Sequence, residues 1–142
     1  MLSPFGEHLI AEEIETAVAR AAEAIGASLN DYAVGALFPQ QQGEIGRHLF
    51  VVEFAEEGIG GKRLETFTRV LDESLADLNS DYRTHRQHDY AMKSPKVHAL
   101  KPGAFAAWMK SRGRLGAQHK VPRIINDQDL FANLRAFFGG SC

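Results

Sequence analysis

Apolar residues near the start of the chain recur every three or four positions, which is the period of one buried helix face. They are Ile10, Ile14, Ala17, Val18, Ala21 and Ile25. Acidic residues stand in the first turns of the same stretch, where they meet the positive end of the helix dipole. The pattern predicts a helix over about 9–25 that ends at Gly26.

Two stretches with strand character follow this helix. The first runs from Asp31 to Pro39, and the second is RHLFVVEF, Arg47 to Phe54. The near-continuous apolar centre of the second is typical of a strand buried on both faces. The polar segment between them has the length of a loose hairpin connection. Glu53 interrupts the apolar run and is expected to be an exposed or paired carboxylate.

A second amphipathic helix is predicted over about 63–78, where leucines and a phenylalanine share one side, and Asn79 ends it. The next segment, SDYRTHRQHDY, fits either a helical turn or an irregular loop. KVHAL, Lys96 to Leu100, alternates well enough for a third strand. Breakers at Pro102 and Gly103 then lead into a short helix around Phe105.

The last part of the chain contains two further predicted elements. VPRII, from Val121 to Ile125, has the character of a short edge strand, because its proline cannot donate to a strand ladder. Asn126 or Asp127 caps a final helix. Its inward residues are predicted to be Leu130, Phe131, Leu134 and Phe137. Together the elements predict an α+β fold for a single domain, 1–142, with a small mixed or antiparallel sheet of about four strands covered by about four helices.

Charge is distributed unevenly along the chain. The stretch from Tyr82 to Arg123 holds ten of the sixteen Lys and Arg residues against one acid, Asp89. The first 81 residues hold fifteen acids and five basic residues. Such a separation creates a local positive potential even when the net charge is near zero. Proline and glycine interrupt the basic stretch, so several of its cations are expected on loops, where binding groups concentrate.

The sequence does not fit several classes of protein, namely membrane-spanning, secreted, phosphate-loop and zinc-binding proteins. No apolar run is long enough to span a bilayer, and the N-terminus lacks the pattern of a secretory signal. One cysteine, Cys142, cannot form an intramolecular disulfide, so a reducing cytoplasm is the expected location. Gly60-Gly61 lacks the lysine and hydroxyl residue of a phosphate loop. His85 and His88 have zinc-like spacing but no second ligand pair, and no metal site is expected.

The segment from Gln118 to Arg123, QHKVPR, places Lys120 and Arg123 between two glycines and the predicted edge strand. A lysine brings a mobile point charge, and an arginine brings a rigid fork suited to phosphate or carboxylate. From spacing alone, a binding role and a plain surface role are equally supported.

Several motifs in a fixed order resemble a known family. LNSDYRTHRQHDY, KVHAL, PGAFAAWMKSRG and QHKVPRIIND resemble the C-terminal domain of the auxin-responsive promoter family, the acyl acid amido synthetases. The opening FGEHLIAEEIETAV is similar to the family's segment after the interdomain hinge. These enzymes belong to the adenylate-forming superfamily. The chain departs from the plant form around DYAMKSP, so the resemblance does not indicate which acid or amine is used.

The resemblance implies a function that the chain does not perform alone. Family members activate a carboxylic acid with ATP and Mg, and then transfer the acyl group to an amino acid. The large N-terminal adenylation domain has no counterpart here, so the chain is expected to be its mobile lid, inactive by itself. Met1 and the terminal GGSC are expected to mark a fragment of a longer protein, although a naturally split protein also fits. ATP, Mg, the acid and the amino acid are expected in the full enzyme, with no cofactor bound to this chain.

Site residues also follow from the resemblance. Lys120 is the candidate that contacts the ATP phosphates or the developing negative charge, with Arg123 orienting its loop. Arg123 is also a candidate for ligand binding, together with three further residues of the basic stretch: Gln118, Arg83 and Arg86. The hinge or its exit is expected at Gly6, Glu7 and His8.

Another class of function stays open beside the ligase lid. A stand-alone binding module could use the basic face of residues 82–123 for an anion, a nucleic acid or a protein. Nucleic-acid binding usually interleaves aromatic residues with cations. Only Tyr82 and Tyr90 are expected to be exposed aromatics there, so no nucleic-acid partner is predicted. No membrane partner is predicted either, because no apolar run is long enough to span a bilayer.

Overall fold

The computed structural model describes residues 1–89, 91–113 and 120–139. The helices in this part of the chain are α1 (Ala11–Ala24), α2 (Gly61–Leu78), α3 (Ser80–Arg86), α4 (Ala104–Ser111) and α5 (Gln128–Phe137). The strands are β1 (Leu29–Leu37), β2 (Arg47–Phe54) and β3 (Lys96–Leu100). The predicted α+β class is confirmed, with three strands in the described sheet where about four were expected.

The sheet is mixed and has the order β1-β2-β3. β1 and β2 form the predicted antiparallel hairpin, in which Tyr32 lies opposite Val52 and Leu37 opposite Arg47. β3 runs parallel to β2. Because parallel strands cannot be joined by a tight turn, α2 and α3 form the crossover between them. The central position of β2 explains why almost all of its residues are buried.

Helices cover both faces of the sheet because apolar side chains of β2 point to alternate sides. On one face, Phe50 and Phe54 pack in a core with the apolar faces of α1 and α2. On the other face, Leu49 and Val51 pack with α4 and α5. Trp108 is fully buried in this second core, as its helical spacing predicted. The domain therefore has three layers, with the sheet in the middle.

The segment Val121 to Ile125 forms one bridge instead of the predicted edge strand. Val34 of β1 pairs with Ile124 through an isolated parallel bridge. The Val34 N–H donates to the carbonyl of Arg123, and the Ile125 N–H donates to the carbonyl of Val34. Pro122 has no N–H with which to extend this pairing into a ladder, so the pairing is limited to one bridge.

The final helix begins as predicted, and one of its predicted inward residues is exposed. The Asp127 carboxylate caps α5 by accepting from the N–H groups of Asp129 and Leu130. Phe131 is buried in the second core. Phe137 was predicted to point inward and is 43% exposed, because Phe138, the next residue, packs against that core in its place.

Candidate functional site

Lys120 is exposed and begins the stretch that reaches the outer edge of β1, here called the Lys120 segment (residues 120–125). Within the described residues, no hydrogen bond or ion pair engages its ammonium group. Gln118 lies outside the described residues, as does most of the predicted loop before Lys120. The side chain of Lys120 is therefore accessible to solvent.

Arg123 attaches the Lys120 segment to β1. Its Nε donates to Oδ1 of Asp31 at 3.0 Å, and its guanidinium carbon lies 4.9 Å from the centroid of the Tyr32 ring. Burial alone would lower the pKa of Arg123, but the hydrogen bond and charge of Asp31 outweigh it, so that pKa is raised. Arg123 therefore stays fully charged and has an internal partner.

The two arginines of α3 are also engaged inside the domain. Arg86 donates from Nε and Nη2 to the two carboxylate oxygens of Asp72, at 2.9 and 2.7 Å. Arg83 donates from Nη1 to the carbonyl of Ala76 at 2.9 Å. A two-point arginine–carboxylate bond is geometrically specific, so Arg86 holds α3 against α2. A ligand-binding role for either arginine stays a prediction.

Tyr82 was predicted to be an exposed aromatic residue and is fully buried. The sequence around Tyr82 fits either a helical turn or an irregular loop. In the structure it forms α3 and then a 3-10 turn at Gln87–Asp89. The Asn79 side chain caps α3 by accepting from the Tyr82 N–H, and the Tyr82 ring stacks on His48. Its hydroxyl donates to Asp72 at 2.6 Å. Burial, followed by the neighbouring Asp72 charge, raises the pKa of Tyr82 well above 10.0.

The three residues predicted at the hinge lie in a tightly held N-terminal segment. Gly6 has a positive φ of 89°, which a side chain would strain. His8 also has a positive φ, and its ring faces Asp81 at the start of α3. Glu7 is fully buried. Leu2 and Leu9 form a bridge that closes this segment into a compact turn.

Glu7 forms a buried ion pair with His48 of β2, a partner that sequence patterns did not identify. Its other carboxylate oxygen accepts from the N–H of Phe5 at 2.8 Å. Burial raises the pKa of Glu7, but the hydrogen bond and charge of His48, together with backbone donors, outweigh it and leave the pKa below 4.5. Nδ1 of His48 is buried and has no hydrogen-bond partner in the described part of the chain.

The charge separation along the sequence is partly cancelled in space. Arg86 and Arg123 of the basic stretch pair with Asp72 and Asp31 of the acidic part. With Tyr82 buried, the stretch also lacks an aromatic platform that Tyr82 would have supplied. These contacts weaken the alternative interpretation of residues 82–123 as a continuous cationic binding face.

Two grooves lie near these elements. One of about 620 Å³ runs between α2 and the start of β3, where Leu64 and Val97 are among its lining residues. No predicted site residue within the described chain lines it. A second, of about 390 Å³, lies between α1 and β1, and its lining residues include Arg123, Tyr32 and Glu15. Arg123 is thus the predicted site residue that borders this second groove.

The described residues show neither a metal-binding cluster nor a membrane-spanning helix. Among residues 1–89, 91–113 and 120–139, no three His, Cys, Asp or Glu side chains come close enough together to hold a metal ion. In the same part of the chain, no helix combines the length and the apolar character needed to cross a bilayer.

Comparison with known proteins identifies relatives of this fold. A family model described as the GH3 family C-terminal domain matches residues 12–129. The solved structures of AtGH3.15 acyl acid amido synthetase in complex with 2,4-DB and of GH3.15 acyl acid amido synthetase match with TM-scores of 0.69 and 0.68. Both are 21% identical, with 88% of this chain and 23% of theirs covered. A structure of 2-hydroxyisobutyryl-CoA ligase in the postadenylation state matches with a TM-score of 0.46, 18% identity, and coverage of 96% of this chain and 23% of that one. No curated protein matches.

Proposed function

The chain belongs to the GH3 family as its C-terminal domain, and from this premise we propose that it is the mobile lid of an ATP-dependent ligase that joins a carboxylic acid to an amino acid. The family match over residues 12–129 carries this proposal. It also confirms the resemblance to the acyl acid amido synthetases found in the sequence motifs.

The proposed partner is an N-terminal adenylation domain of the same polypeptide. This chain spans 23% of the length of the synthetase structures that it matches, so the acyl and nucleotide sites belong to the proposed partner. The isolated chain is inactive in this proposal, and the small-molecule acid and amino acid bind only to the full enzyme. We place that enzyme in the cytoplasm.

In this proposal Lys120 acts by charge and position. ATP with Mg supplies the adenylyl group that activates the carboxylic acid. Lys120 brings one positive charge to the phosphates when the lid closes. Its ammonium group is exposed and has no partner among the described residues, which supports that role. A charge delivered into a closed, water-poor site is worth more than the same charge in water. Arg123 contributes by holding the Lys120 segment on β1.

The test uses the full-length protein that contains this domain. ATP–pyrophosphate exchange is measured against a panel of aliphatic and aryl carboxylic acids that includes 2,4-DB, with and without Lys120→Ala. We expect exchange with at least one acid and a fall on the order of a hundredfold in the variant, the lower end of the loss when one preorganised electrostatic contact is removed. Lys101→Ala, at another exposed lysine, is the matched control. No exchange with any acid, and no amide formation, would contradict the proposed function.

A further inference from the structure

We propose that Asp31 and Tyr32 of β1 are positioning residues for Lys120. They act through Arg123, which both of them hold, and so set where the exposed lysine stands on the domain surface. The inference rests on the proposed function, because Lys120 needs an anion to act upon. It adds two residues that no sequence motif indicated.

The contacts form a clamp with a side-chain part and a backbone part. Arg123 Nε lies 3.0 Å from Oδ1 of Asp31, and the Arg123 guanidinium lies over the Tyr32 ring. The Arg123 carbonyl accepts from the Val34 N–H at 2.7 Å, and the Ile125 N–H donates back to Val34 at 2.9 Å. One arginine is therefore held by its side chain and by the main chain of the same strand.

The β1 side of the clamp is rigid. Tyr32 is only 4% exposed, and its N–H donates to Oδ1 of Asp31 at 2.8 Å. The carboxylate oxygen that receives Arg123 is thus already oriented by the strand before the arginine arrives. β1 is itself paired with the central strand β2. A preorganised acceptor of this kind fixes a long side chain with little further ordering.

The distance from the clamp to Lys120 is short. Three residue steps separate Arg123 from Lys120, so their Cα atoms are at most about 10 Å apart. Pro122 lies between them, and its ring fixes one backbone dihedral. Anchoring Arg123 therefore limits where Lys120 can be. Misplacing a charged group by about 1 Å at a reacting centre costs on the order of a hundredfold in rate.

The same contacts add little to global stability. The side chains of Arg123 and Asp31 are 44% and 26% exposed, and partly solvated pairs of this kind stabilise folded proteins weakly. Loss of the pair should therefore change the position of Lys120 without unfolding the domain. A variant that loses activity and keeps its stability would therefore indicate a positioning role, whereas a merely structural role would lower both.

The first experiment measures the clamp directly in the 142-residue chain. Amide hydrogen exchange at Val34 and Ile125 is compared between wild type, Asp31→Asn and Asp77→Asn. Asp77 accepts from Arg20 at 2.9 Å in an exposed pair far from Arg123 in sequence, so it is the matched control. We expect roughly two- to fivefold faster exchange at both amides in Asp31→Asn and none of this acceleration in Asp77→Asn. Unchanged exchange at both amides in Asp31→Asn would overturn the clamp.

The second experiment tests the role of the clamp in the full-length enzyme. Pyrophosphate exchange with 2,4-DB and the acid panel is measured for Lys120→Ala, Asp31→Asn, the double variant and Asp77→Asn. We expect Asp31→Asn to lower kcat about tenfold with an unchanged Tm, and to have no further effect once Lys120 is absent. Asp31→Glu should restore part of the lost rate, since it keeps the charge.

The outcomes separate this inference from the proposed function. Normal exchange in Asp31→Asn beside an impaired Lys120→Ala enzyme would overturn the positioning role alone. Additive losses in the double variant would do the same, because Asp31 would then act independently of Lys120. Full activity of Lys120→Ala would remove Lys120 from the proposed mechanism, and the positioning role with it.

Discussion

The carboxylate of Glu7 and the imidazole of His48 form an ion pair that joins the N-terminal segment to β2. Both side chains are closed off from solvent, with 0% and 1% exposure. Since Nε2 of His48 faces the carboxylate, that nitrogen carries the proton in either charge state.

Glu7→Gln should destabilise the domain by about 3 kcal/mol at pH 7, since removing one partner leaves the other buried without its counter-charge. The free energy of unfolding is measured by urea denaturation. Glu12→Gln, at an exposed position of α1, is the control and should change it little. A loss in Glu7→Gln no larger than in this control would contradict the prediction.

The effect of Glu7 should depend on pH with a definite sign. The pKa of Glu7 in the folded domain lies below 4.5, because His48 and backbone donors outweigh burial. Its charge therefore stabilises the fold fully above about pH 4.5, and that stabilisation is lost as the pH falls through the lowered pKa. The gap in the free energy of unfolding between wild type and Glu7→Gln should therefore narrow when urea denaturation is measured at pH values from 5 down to 3. A gap that stays constant over this range would contradict the assignment.

Gly35→Ala should destabilise the domain by about 1–3 kcal/mol through overpacking. A Cβ at Gly35 would lie 2.8 Å from ring carbons of Phe131, which is buried in the core between β1 and α5. Thermal unfolding measures the loss, and Phe131→Leu in the Gly35→Ala background should recover part of it. Gly60→Ala, where a Cβ meets nothing within 4 Å, is the control. Equal shifts in the two alanine variants would show that the close approach is not the cause.

Asn79→Ala should cost about 2 kcal/mol, because the Asn79 side chain serves two elements. Its Oδ1 accepts from the Tyr82 N–H at 2.7 Å and caps α3. Its Nδ2 donates to the His8 carbonyl and to Glu13. Asn79→Ser keeps a capping acceptor, adds no charge beside Glu13 and loses the amide donors, so chemical denaturation should place it between wild type and Asn79→Ala. If the serine variant were no more stable than the alanine variant, the cap would contribute nothing.

Tyr82→Phe should cost about 1 kcal/mol at pH 8, the usual net value of one hydrogen bond, here the bond to Asp72. At alkaline pH the difference in unfolding free energy between wild type and Tyr82→Phe should change sign. The pKa of Tyr82 is raised well above 10.0 by burial, so the folded state resists losing this proton. Wild type should therefore lose stability as the pH rises from 10 towards that raised pKa, while Tyr82→Phe escapes this loss. Denaturation midpoints at pH 8 and pH 11 give the comparison, and a constant difference would contradict it.

Local patterns were enough to predict most elements. The limits of β2 match RHLFVVEF because a strand at the centre of a sheet is apolar on both sides. Asp127 was one of two predicted caps for α5, and its carboxylate makes the capping bonds. The burial of Trp108 follows from its helical spacing with Phe105 and Met109. Each of these features depends on neighbours within a few residues.

Features that depend on distant contacts could not be predicted in the same way. The Arg123–Asp31 bond joins positions 92 apart, and the His48–Glu7 pair joins positions 41 apart. Tyr82 has basic neighbours in the sequence, yet its ring is buried by packing on His48. Glu53 could be predicted only as exposed or paired. It is buried and accepts from Asn30 and from the N–H of Phe105.

The parallel pairing of β3 with β2 also orders events while the chain is being synthesised. β1 and β2 are hairpin neighbours, so they can pair as soon as both have left the ribosome. The edge of β2 that faces β3 must wait until the whole crossover and Leu100 have been made. The backbone groups of Leu49–Glu53 on that edge stay unpaired during the interval, and an unpaired strand edge is a common starting point for self-association. We therefore expect a nascent chain stalled between Phe54 and Leu100 to self-associate more readily than one that extends beyond Leu100.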